Sequence, residues 1–263
     1  MKALRNLIVG VALIALPTGV IAVSPGEQPL PDLKEIFPKI VARSRQESEN
    51  DRSFECRYVF VRSKVTDYRN ADGEIKKHEA KTSTNNPALK RSAARRKPQP
   101  APVRPPEKAK AAANTNSIVR GKQFDQDEFL LNPDMVRRFD FTLTGRAALS
   151  GRSMLIVEFQ PAKGKLPERT LKDKFLNKAA GRVWLDEADY TIVKVAIQLT
   201  DRINVFGGLV GAIRKFTYGF ERERTTDGLW FTRDEQWHLE GREVLAERIV
   251  DFHAERTGVR KAD

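Results

Sequence analysis

Apolar and polar residues alternate with a period of two through most of the chain after residue 50, which is the pattern of β-strands that bury one face. Turn sequences separate the runs, for example Asp72-Gly73 and Gly241-Arg242. They predict a mainly β (α+β) fold, a curved, half-open antiparallel β-barrel of about nine or more strands, with one face covered and one wet. The alternating runs cover residues 52–64, 74–84, 138–144, 154–160, 182–186, 190–200, 215–221, 229–240 and 243–253.

One helical pattern precedes the strands. Asp32 is a candidate N-cap, and apolar residues recur at helical spacing after it. Pro38 interrupts the pattern, so the helix either kinks there or begins near Phe37. We expect this N-terminal helix to cover part of the concave face of the sheet. Its apolar positions are Leu33, Ile36, Phe37, Ile40 and Val41.

Residues 203–213 break the alternation with the sequence Ile-Asn-Val-Phe-Gly-Gly-Leu-Val-Gly-Ala-Ile. Either this stretch is a buried connection, or its glycines make it an apolar flap at the mouth of a cavity. The aromatic strand faces fit a ligand cavity or a filled core, and both alternatives stay open. The residues that we expect to contact an apolar ligand are Phe139, Phe141, Trp184, Val193, Val195, Phe206, Leu209, Val210, Phe216, Tyr218 and Trp237.

The N-terminus carries a different pattern. Lys2 and Arg5 precede an apolar run over residues 7–22 that ends at Ala22. A charged start, a short apolar run and a small-residue end are typical of a secretory signal peptide. We therefore predict a cleavable signal peptide, a mature chain that begins near Val23, and export to a bacterial periplasm. An uncleaved signal anchor is the alternative.

The formal net charge of the 263-residue chain is +12, which by itself suggests a polyanionic partner. Residues 85–120 hold nine bases and one acid among Ala and Pro residues, a net charge of +8. Residues 1–22 carry another +2, so the rest of the chain carries only +2. This near-neutral remainder argues against a nucleic-acid-binding fold. The basic segment, residues 85–120, is predicted to contact an anionic envelope surface.

These patterns divide the chain into four parts. Residues 1–22 are the predicted signal peptide, and residues 23–84 hold the N-terminal helix and the first strands of the barrel. The basic segment is predicted to be a flexible linker or loop, because it has too few large apolar residues to form a core. Residues 121–263 form the remainder of the barrel domain.

Few residues carry chemistry. The chain has three His and one Cys, and its sequence contains no nucleophile elbow, phosphate-binding loop or dinucleotide fingerprint. Cys56 shares a predicted strand face with Phe54 and Tyr58, which indicates a buried thiol. The acidic residues between Asp186 and Asp189 fall where a turn is expected. We therefore predict no catalytic residue, no metal site and no cofactor, and a protein that is not an enzyme.

Two adjacent motifs resemble a known family. Residues 181–186 read Gly-Arg-Val-Trp-Leu-Asp, and residues 190–195 read Tyr-Thr-Ile-Val-Lys-Val. Together with residues 144–161 before them and 228–230 after them, they resemble exported bacterial proteins similar to the outer-membrane lipoprotein-sorting (LolA-like) family. The resemblance implies a half-open antiparallel barrel closed by helices, with an apolar cavity for acyl chains or related ligands.

The patterns and the resemblance lead to one predicted function and one alternative. The prediction is an exported periplasmic protein that binds a lipid, an acyl chain or a lipoprotein on the concave face of the sheet. The alternative is a non-enzymatic envelope sensor or interaction protein with a filled barrel. In that case the basic segment contacts anionic lipid, lipopolysaccharide or a partner protein. Neither prediction includes a nucleic-acid partner or a defined oligomeric state.

Overall fold

The computed structural model describes residues 29–89, 136–164, 166–205, 211–243 and 246–262. The predicted signal peptide and residues 90–120 of the basic segment lie outside these ranges. No helix within the ranges is long and apolar enough to cross a membrane. The elements, in chain order, are α1 (Leu33–Ser44), α2 (Glu47–Arg57), β1 (Tyr58–Arg69), β2 (Ile75–Asn85), β3 (Phe139–Leu149), β4 (Arg152–Pro161), α3 (Leu171–Leu176), β5 (Ala179–Asp186), β6 (Ile192–Leu199), β7 (Ile203–Val205), β8 (Gly211–Arg224), β9 (Trp230–Glu243) and β10 (Ala246–Lys261).

The ten strands form one antiparallel sheet in the order β2-β1-β10-β9-β8-β6-β5-β4-β3, and β7 pairs with β8 beside this path. The turn predicted at Asp72-Gly73 joins β1 to β2. Because β2 and β3 are the edges, the chain between Asn85 and Phe139 connects opposite edges of the sheet. The sheet is curved and does not close, so the predicted half-open, mainly β fold is confirmed.

The strand register sorts side chains into two faces, since cross-strand partners lie on the same face of a sheet. Val157 pairs with Val183, and Val183 pairs with Val195. We call the face that holds these valines the covered face, because helices pack on it. The intervening residues, such as Arg182 and Lys194, lie on the opposite face, which we call the open face.

The predicted N-terminal helix is two helices, α1 and α2. Asp32 caps α1 as predicted, and its carboxylate accepts a hydrogen bond from the backbone N–H of Lys34 at 2.9 Å. Pro38 lies inside the helix. Ile36 and Ile40, each 3% exposed or less, pack α1 on the covered face. Burying a side chain of this size contributes roughly 1.5–3 kcal/mol, so apolar contact holds α1 on the sheet.

α2 occupies residues 47–57, so the prediction that a strand begins at residue 52 is wrong. Phe54 stacks on Phe231 with 4.8 Å between ring centroids. Cys56 is exposed, which corrects the prediction of a buried thiol. Over a few residues, the period of two of a strand is easily confused with the spacing of a helix. The side chains of residues two apart in a helix, however, point in directions about 200° apart. Cys56 therefore points away from the side on which Phe54 is buried.

Two glycines let neighbouring strands approach closely. A Cβ at Gly181 would overlap the carbonyl oxygen of Ala196, and a Cβ at Gly241 would lie 2.7 Å from that of Ala212. Such an approach leaves no room for a side chain in a close-packed interior. β9 continues through Gly241 to Glu243, so the turn predicted at Gly241-Arg242 is wrong.

Candidate functional site

A cavity of about 160 Å³ lies between the covered face and the helices. An apolar cavity of about 150 Å³ holds one molecule the size of benzene. In this form the cavity therefore has room for a group of about that size. Its apolar lining residues are Phe37, Ile40, Phe139, Phe141, Val157, Phe159, Phe175, Leu176, Ala179, Val183, Leu185, Ile192, Val195, Ile197, Phe216, Tyr218 and Phe220.

Strand β8 presents a row of side chains to this cavity that changes from apolar at one end to charged at the other. Phe216, Tyr218, Phe220 and Arg222 are two residues apart, and all four line it. At roughly 3.3 Å per residue the row is about 20 Å long. One leaflet of a bilayer's hydrocarbon core is about 15 Å thick. The row is thus long enough for one acyl chain, and it ends on a charged group.

The helices present a matching row. Phe37, Ile40, Ser44, Glu47 and Asp51 line the cavity at spacings of three or four residues, which places them on one side of the α1–α2 pair. This row also begins apolar and ends polar. The cavity therefore has an apolar body and a polar mouth. The polar mouth consists of Ser44, Glu47, Ser48, Asp51 and Arg222.

The polar ends of the two rows meet in an ion pair. Two guanidinium nitrogens of Arg222 donate to the two carboxylate oxygens of Glu47, at 2.7 and 2.8 Å. Only 7% of the Arg222 side chain and 16% of the Glu47 side chain are exposed. Burial disfavours the charge of Arg222, but the hydrogen bonds and charge of Glu47 outweigh it and raise the pKa of Arg222. The pair therefore keeps a charged guanidinium beside the apolar space.

Asp51 lies at the outer rim of the polar mouth, where its residue is exposed. Desolvation by the surrounding protein raises the pKa of its carboxyl group, and the charge of Arg222 and a hydrogen bond from Asn50 oppose this rise. The polar mouth therefore holds two carboxyl groups, those of Glu47 and Asp51, and one guanidinium.

α2, which closes the polar mouth, is firmly attached to the sheet. The Asn50 side chain donates to the backbone carbonyl of Trp230 at 2.7 Å and accepts from its backbone N–H at 3.0 Å. Phe54 packs between the aromatic rings of Tyr58, Phe60 and Phe231. These contacts fix the position of the helix that carries Glu47.

α1, which covers the apolar body, is attached at its rim by longer side chains. Lys39 donates to the Tyr190 hydroxyl at 3.2 Å, and Arg43 Nε donates to Thr191 Oγ1 at 2.8 Å. The ring of Phe37 meets that of Phe141 edge-on at 4.8 Å between centroids. The Lys39 bond is exposed and the Arg43 bond is partly buried. Each contributes about 1 kcal/mol, less than the burial of Ile36 or Ile40, so α1 is held mainly by its apolar face.

The structure brings five of the predicted ligand-contact residues together at the cavity: Phe139, Phe141, Val195, Phe216 and Tyr218. Three others, Phe206, Leu209 and Val210, lie outside the described residues. The strands on either side of them, β7 and β8, pair antiparallel, with Ile203 opposite Ile213. The choice between a buried connection and an apolar flap therefore stays a prediction.

Two predicted residues lie away from the cavity. Trp184 lies on the open face, where Arg182 and Lys194 flank its ring. Val193 is buried in a separate cluster with Met154 and Trp230. A register shift in the β5–β6 pairing explains the position of Val193, because it pairs Leu185 with Ile192 and so places Ile192 on the covered face instead.

Trp237 also lies outside the cavity lining. Its ring stacks on Phe252 with 5.4 Å between centroids, inside the main core cluster. Its cross-strand partner Tyr218 packs against the same cluster and also lines the cavity. A ligand role for Trp237 stays a prediction.

Comparison with known proteins gives structural matches only. No protein-family model matches the chain, and the search of curated proteins finds no significant relative. One matching structure is a domain from Vibrio parahaemolyticus that is provisionally assigned as an outer membrane lipoprotein-sorting protein, with 12% identity, a TM-score of 0.30, and coverage of 84% of this chain and 91% of that chain. This is the family that residues 181–195 resemble.

Two further matches have similar scores. A DUF1329 family protein from Desulfovibrio piger has 13% identity and a TM-score of 0.31, over 85% of this chain and 93% of that chain. The MucA/MucB complex of Pseudomonas aeruginosa has 8% identity and a TM-score of 0.23, over 85% of this chain and 99% of that chain. At these scores we infer nothing about function from any of the matches.

The sequence-based prediction did not include the polar mouth, although a signal was present. Arg222 follows Phe220 with the same period of two that identified the apolar strand face. Glu47 and Asp51 continue the helical spacing of the apolar residues in α1. A charged residue that ends an apolar row was the available signal, and it appears in both rows.

The acidic residues at positions 186–189 form the β5–β6 turn, as expected. The buried Asp186 carboxylate accepts from the backbone N–H groups of Ala188 and Asp189, at 3.0 and 3.1 Å. Desolvation raises the pKa of Asp189, but hydrogen bonds from Trp230 and Thr191 outweigh it and hold that pKa below its usual value. These carboxylates are engaged by donors in and around the turn.

The open face carries a broad groove of about 1050 Å³. A continuous line of hydrogen bonds and ion pairs also crosses this face. On this face the imidazole of His253 lies 2.5 Å from the carboxylate of Asp234. In the part of the chain that the structure describes, no three His, Cys, Asp or Glu residues are grouped as metal ligands. The charged string, as we name this line, comprises His78–Asp67 at 2.6 Å, Asp67–Arg69 at 3.8 Å, Arg69–Asp251 at 2.9 Å, Asp251–His238 at 2.7 Å, His238–Glu240 at 2.9 Å and Glu240–Lys215 at 3.0 Å.

Proposed function

We propose that this protein binds the acyl chain of a lipid, or of a lipidated protein segment, in the cavity beneath α1. The observation that supports this most strongly is the graded cavity, whose apolar body ends in a polar mouth. Each buried methylene contributes about 0.8 kcal/mol before the cost of association. Because the cavity is small in this form, a whole chain displaces α1, whose attachment is mainly apolar.

The proposal places the protein in the periplasm, among the lipids of the cell envelope. It includes the predicted signal peptide at residues 1–22, cleaved near Val23. The intact mass of the protein recovered from cells tests this part. A mass that begins near Val23 supports export with cleavage, and a mass that includes residues 1–22 contradicts cleavage.

Ligand content is the direct test. Protein purified from its own envelope without detergent is examined by native mass spectrometry, and organic extracts of it are analysed for lipids. We expect co-purifying acylated molecules. Recombinant protein should also bind the neutral apolar probe N-phenyl-1-naphthylamine. Ligand-free protein that fails to bind this probe contradicts the proposal.

A matched pair of variants locates the site. Ala179 lines the cavity, and Ala180, its neighbour in β5, faces the open groove. Ala179→Leu fills part of the cavity and should weaken probe binding about tenfold or more, since several methylene contacts are lost. Ala180→Leu should bind as the wild type does. Equal binding by both variants would exclude the cavity as the site, provided that both show native circular dichroism.

A second candidate function is favoured by the small volume of the cavity. Side chains fill most of the space on the covered face, as expected for an interaction protein whose basic segment contacts an anionic surface. Deletion of residues 90–120 separates the two functions. Loss of binding to anionic vesicles with retained probe binding assigns the two activities to different parts of the chain. Anionic vesicle binding without any probe binding favours the interaction protein.

A further inference from the structure

We infer that the amphiphile bound in the cavity has a head group that donates hydrogen bonds and carries no negative charge, such as an ammonium or hydroxyl group. This inference rests on the proposed function and adds the chemistry of the ligand's polar end. The polar mouth has one guanidinium, Arg222, and two carboxylates, Glu47 and Asp51. Carboxyl and hydroxyl groups outnumber this guanidinium, so most of the groups at the polar mouth accept hydrogen bonds.

A carboxylate head group is disfavoured by the pairing of Arg222 with Glu47. Both oxygens of Glu47 already accept from this guanidinium, at 2.7 and 2.8 Å. A ligand carboxylate that took over these donors would leave Glu47 without its partner, although only 16% of the Glu47 side chain is exposed. Separating a buried ion pair in this way is strongly unfavourable. A ligand carboxylate that left the pair intact would lie beside the like charge of Glu47.

A head group that donates hydrogen bonds can bind at the polar mouth without separating this ion pair. A carboxylate has about four lone-pair positions, so Glu47 keeps accepting capacity beyond its two bonds to Arg222. Asp51 lies four residues further along α2, on the same side of the helix and closer to solvent. An ammonium group between these carboxylates retains the ion pair and adds charge-assisted hydrogen bonds. The hydroxyl groups of Ser44 and Ser48 border the same space.

The apolar length of the cavity supports the same orientation. The row from Phe216 to Arg222 begins among Phe175 and Leu176 and ends at the ion pair. A chain whose tail lies at Phe216 therefore places its first polar atoms at the polar mouth. The reverse orientation would bury the head group among aromatic rings without partners, which is costly.

Competition between ligands of equal chain length tests the inference. Dodecylammonium, 1-dodecanol and laurate are titrated as competitors of N-phenyl-1-naphthylamine against the full chain at pH 7, at concentrations at which each compound is monomeric in solution. We expect laurate to bind at least about tenfold more weakly than dodecylammonium, as for the loss of one charged hydrogen bond. Dodecanol should bind more tightly than laurate.

Three variants assign this preference to the polar mouth. Glu47→Gln and Asp51→Asn should each reduce the ratio of laurate to dodecylammonium dissociation constants about threefold or more. Glu49→Gln is the matched control on α2, because the Glu49 side chain is 71% exposed and does not line the cavity; its ratio should equal that of the wild type. Asp51→Asn, at the exposed rim, keeps the test valid if Glu47→Gln fails to fold.

The outcomes separate the two levels of the proposal. If neither the probe nor any dodecyl compound binds, the proposed function itself is wrong. If all three compounds bind and laurate is as strong as dodecylammonium, lipid binding stands and the inference about the head group is overturned. A preference that persists unchanged in both Asp51→Asn and Glu47→Gln also overturns it, because the preference then arises elsewhere.

Discussion

The two faces of the sheet use charge in opposite ways. On the covered face, Arg222 and Glu47 form a buried pair at the end of an apolar cavity. On the open face, charged residues form the charged string, whose members are partly exposed and are paired along five strands. Water screens pairs of the second kind and contributes little screening to the first. Charge on the covered face is therefore buried beside apolar space, whereas charge on the open face is paired within reach of solvent.

The same comparison explains why the total charge of the chain is a poor guide to its function. The +12 charge includes +8 from residues 85–120, and the charged string pairs its bases with carboxylates. The total charge does not reveal the one buried guanidinium of Arg222, which lies beside the apolar cavity. Four tests measure how far the faces differ.

The largest effect is expected from breaking the buried ion pair. Glu47→Ala leaves Arg222 buried without a partner and should lower the free energy of unfolding by about 3–5 kcal/mol. Replacing both partners, as in Glu47→Leu with Arg222→Met, should recover most of this loss. Urea unfolding followed by circular dichroism measures both.

An exposed pair provides the control for this experiment. Glu158 and Arg182 lie on the open face with side chains 43% and 49% exposed. Glu158→Ala should cost less than about 1 kcal/mol. Equal losses from Glu47→Ala and Glu158→Ala would show that burial does not distinguish the two faces energetically.

A second test uses neighbours in β4 that point to opposite faces. Leu155 is 0% exposed and packs against α1, so Leu155→Ala should cost about 2–5 kcal/mol. Ile156 lies on the open face and is only half-buried. Ile156→Ala should cost about 1 kcal/mol or less. Thermal and urea unfolding give both values, and a larger loss from Ile156→Ala would contradict the assignment of the faces.

The third test concerns the close approach of β5 to β6. Gly181→Ala should lower the free energy of unfolding by about 1–3 kcal/mol, because the added Cβ overlaps the Ala196 carbonyl oxygen. Gly145 in β3 has open space where its Cβ would lie. Gly145→Ala should therefore be within about 0.5 kcal/mol of the wild type. Unchanged stability in Gly181→Ala would refute the close approach.

The smallest effect should be the acid sensitivity of the charged string. Hydrogen bonds from His238 and Lys215 hold the pKa of Glu240 below its usual value. Desolvation raises the pKa of Asp251, but hydrogen bonds from His238 and Arg69 outweigh it and lower the pKa. A group whose pKa is depressed in the folded state adds stability at pH values above its pKa in the unfolded state, which is about 4. This stability is lost as the pH falls through the pKa of the folded state.

Urea unfolding at a series of pH values checks this prediction. These carboxylates should contribute a constant stability between pH 7 and 5, which falls below about pH 4. Asp251→Asn should show a smaller acid loss than the wild type. Leu155→Ala should keep the wild-type pH dependence, since an apolar contact does not titrate. If the free energy of unfolding of Asp251→Asn falls at low pH as much as that of the wild type, the charged string is not the source of the acid sensitivity.

Much of the fold was predictable because strand alternation is a local property. The alternation of Phe139 and Phe141 with polar neighbours placed both on the covered face, where they line the cavity. Cys56 shows the limit, since a period of two over a few residues also fits the end of a helix. Val193 shows another, because a register shift between paired strands changed the side to which it points.

The sequence by itself determined which residues share a face within a regular strand, because the backbone repeat fixes their directions. It also located the excess charge in one segment, because charge is a property of composition. Only the tertiary structure decided that Arg222 meets Glu47, which is 175 residues away in the chain. The size of the cavity was likewise a tertiary result. Both depend on strand register and on how α1 and α2 pack across the sheet, which no local pattern specifies.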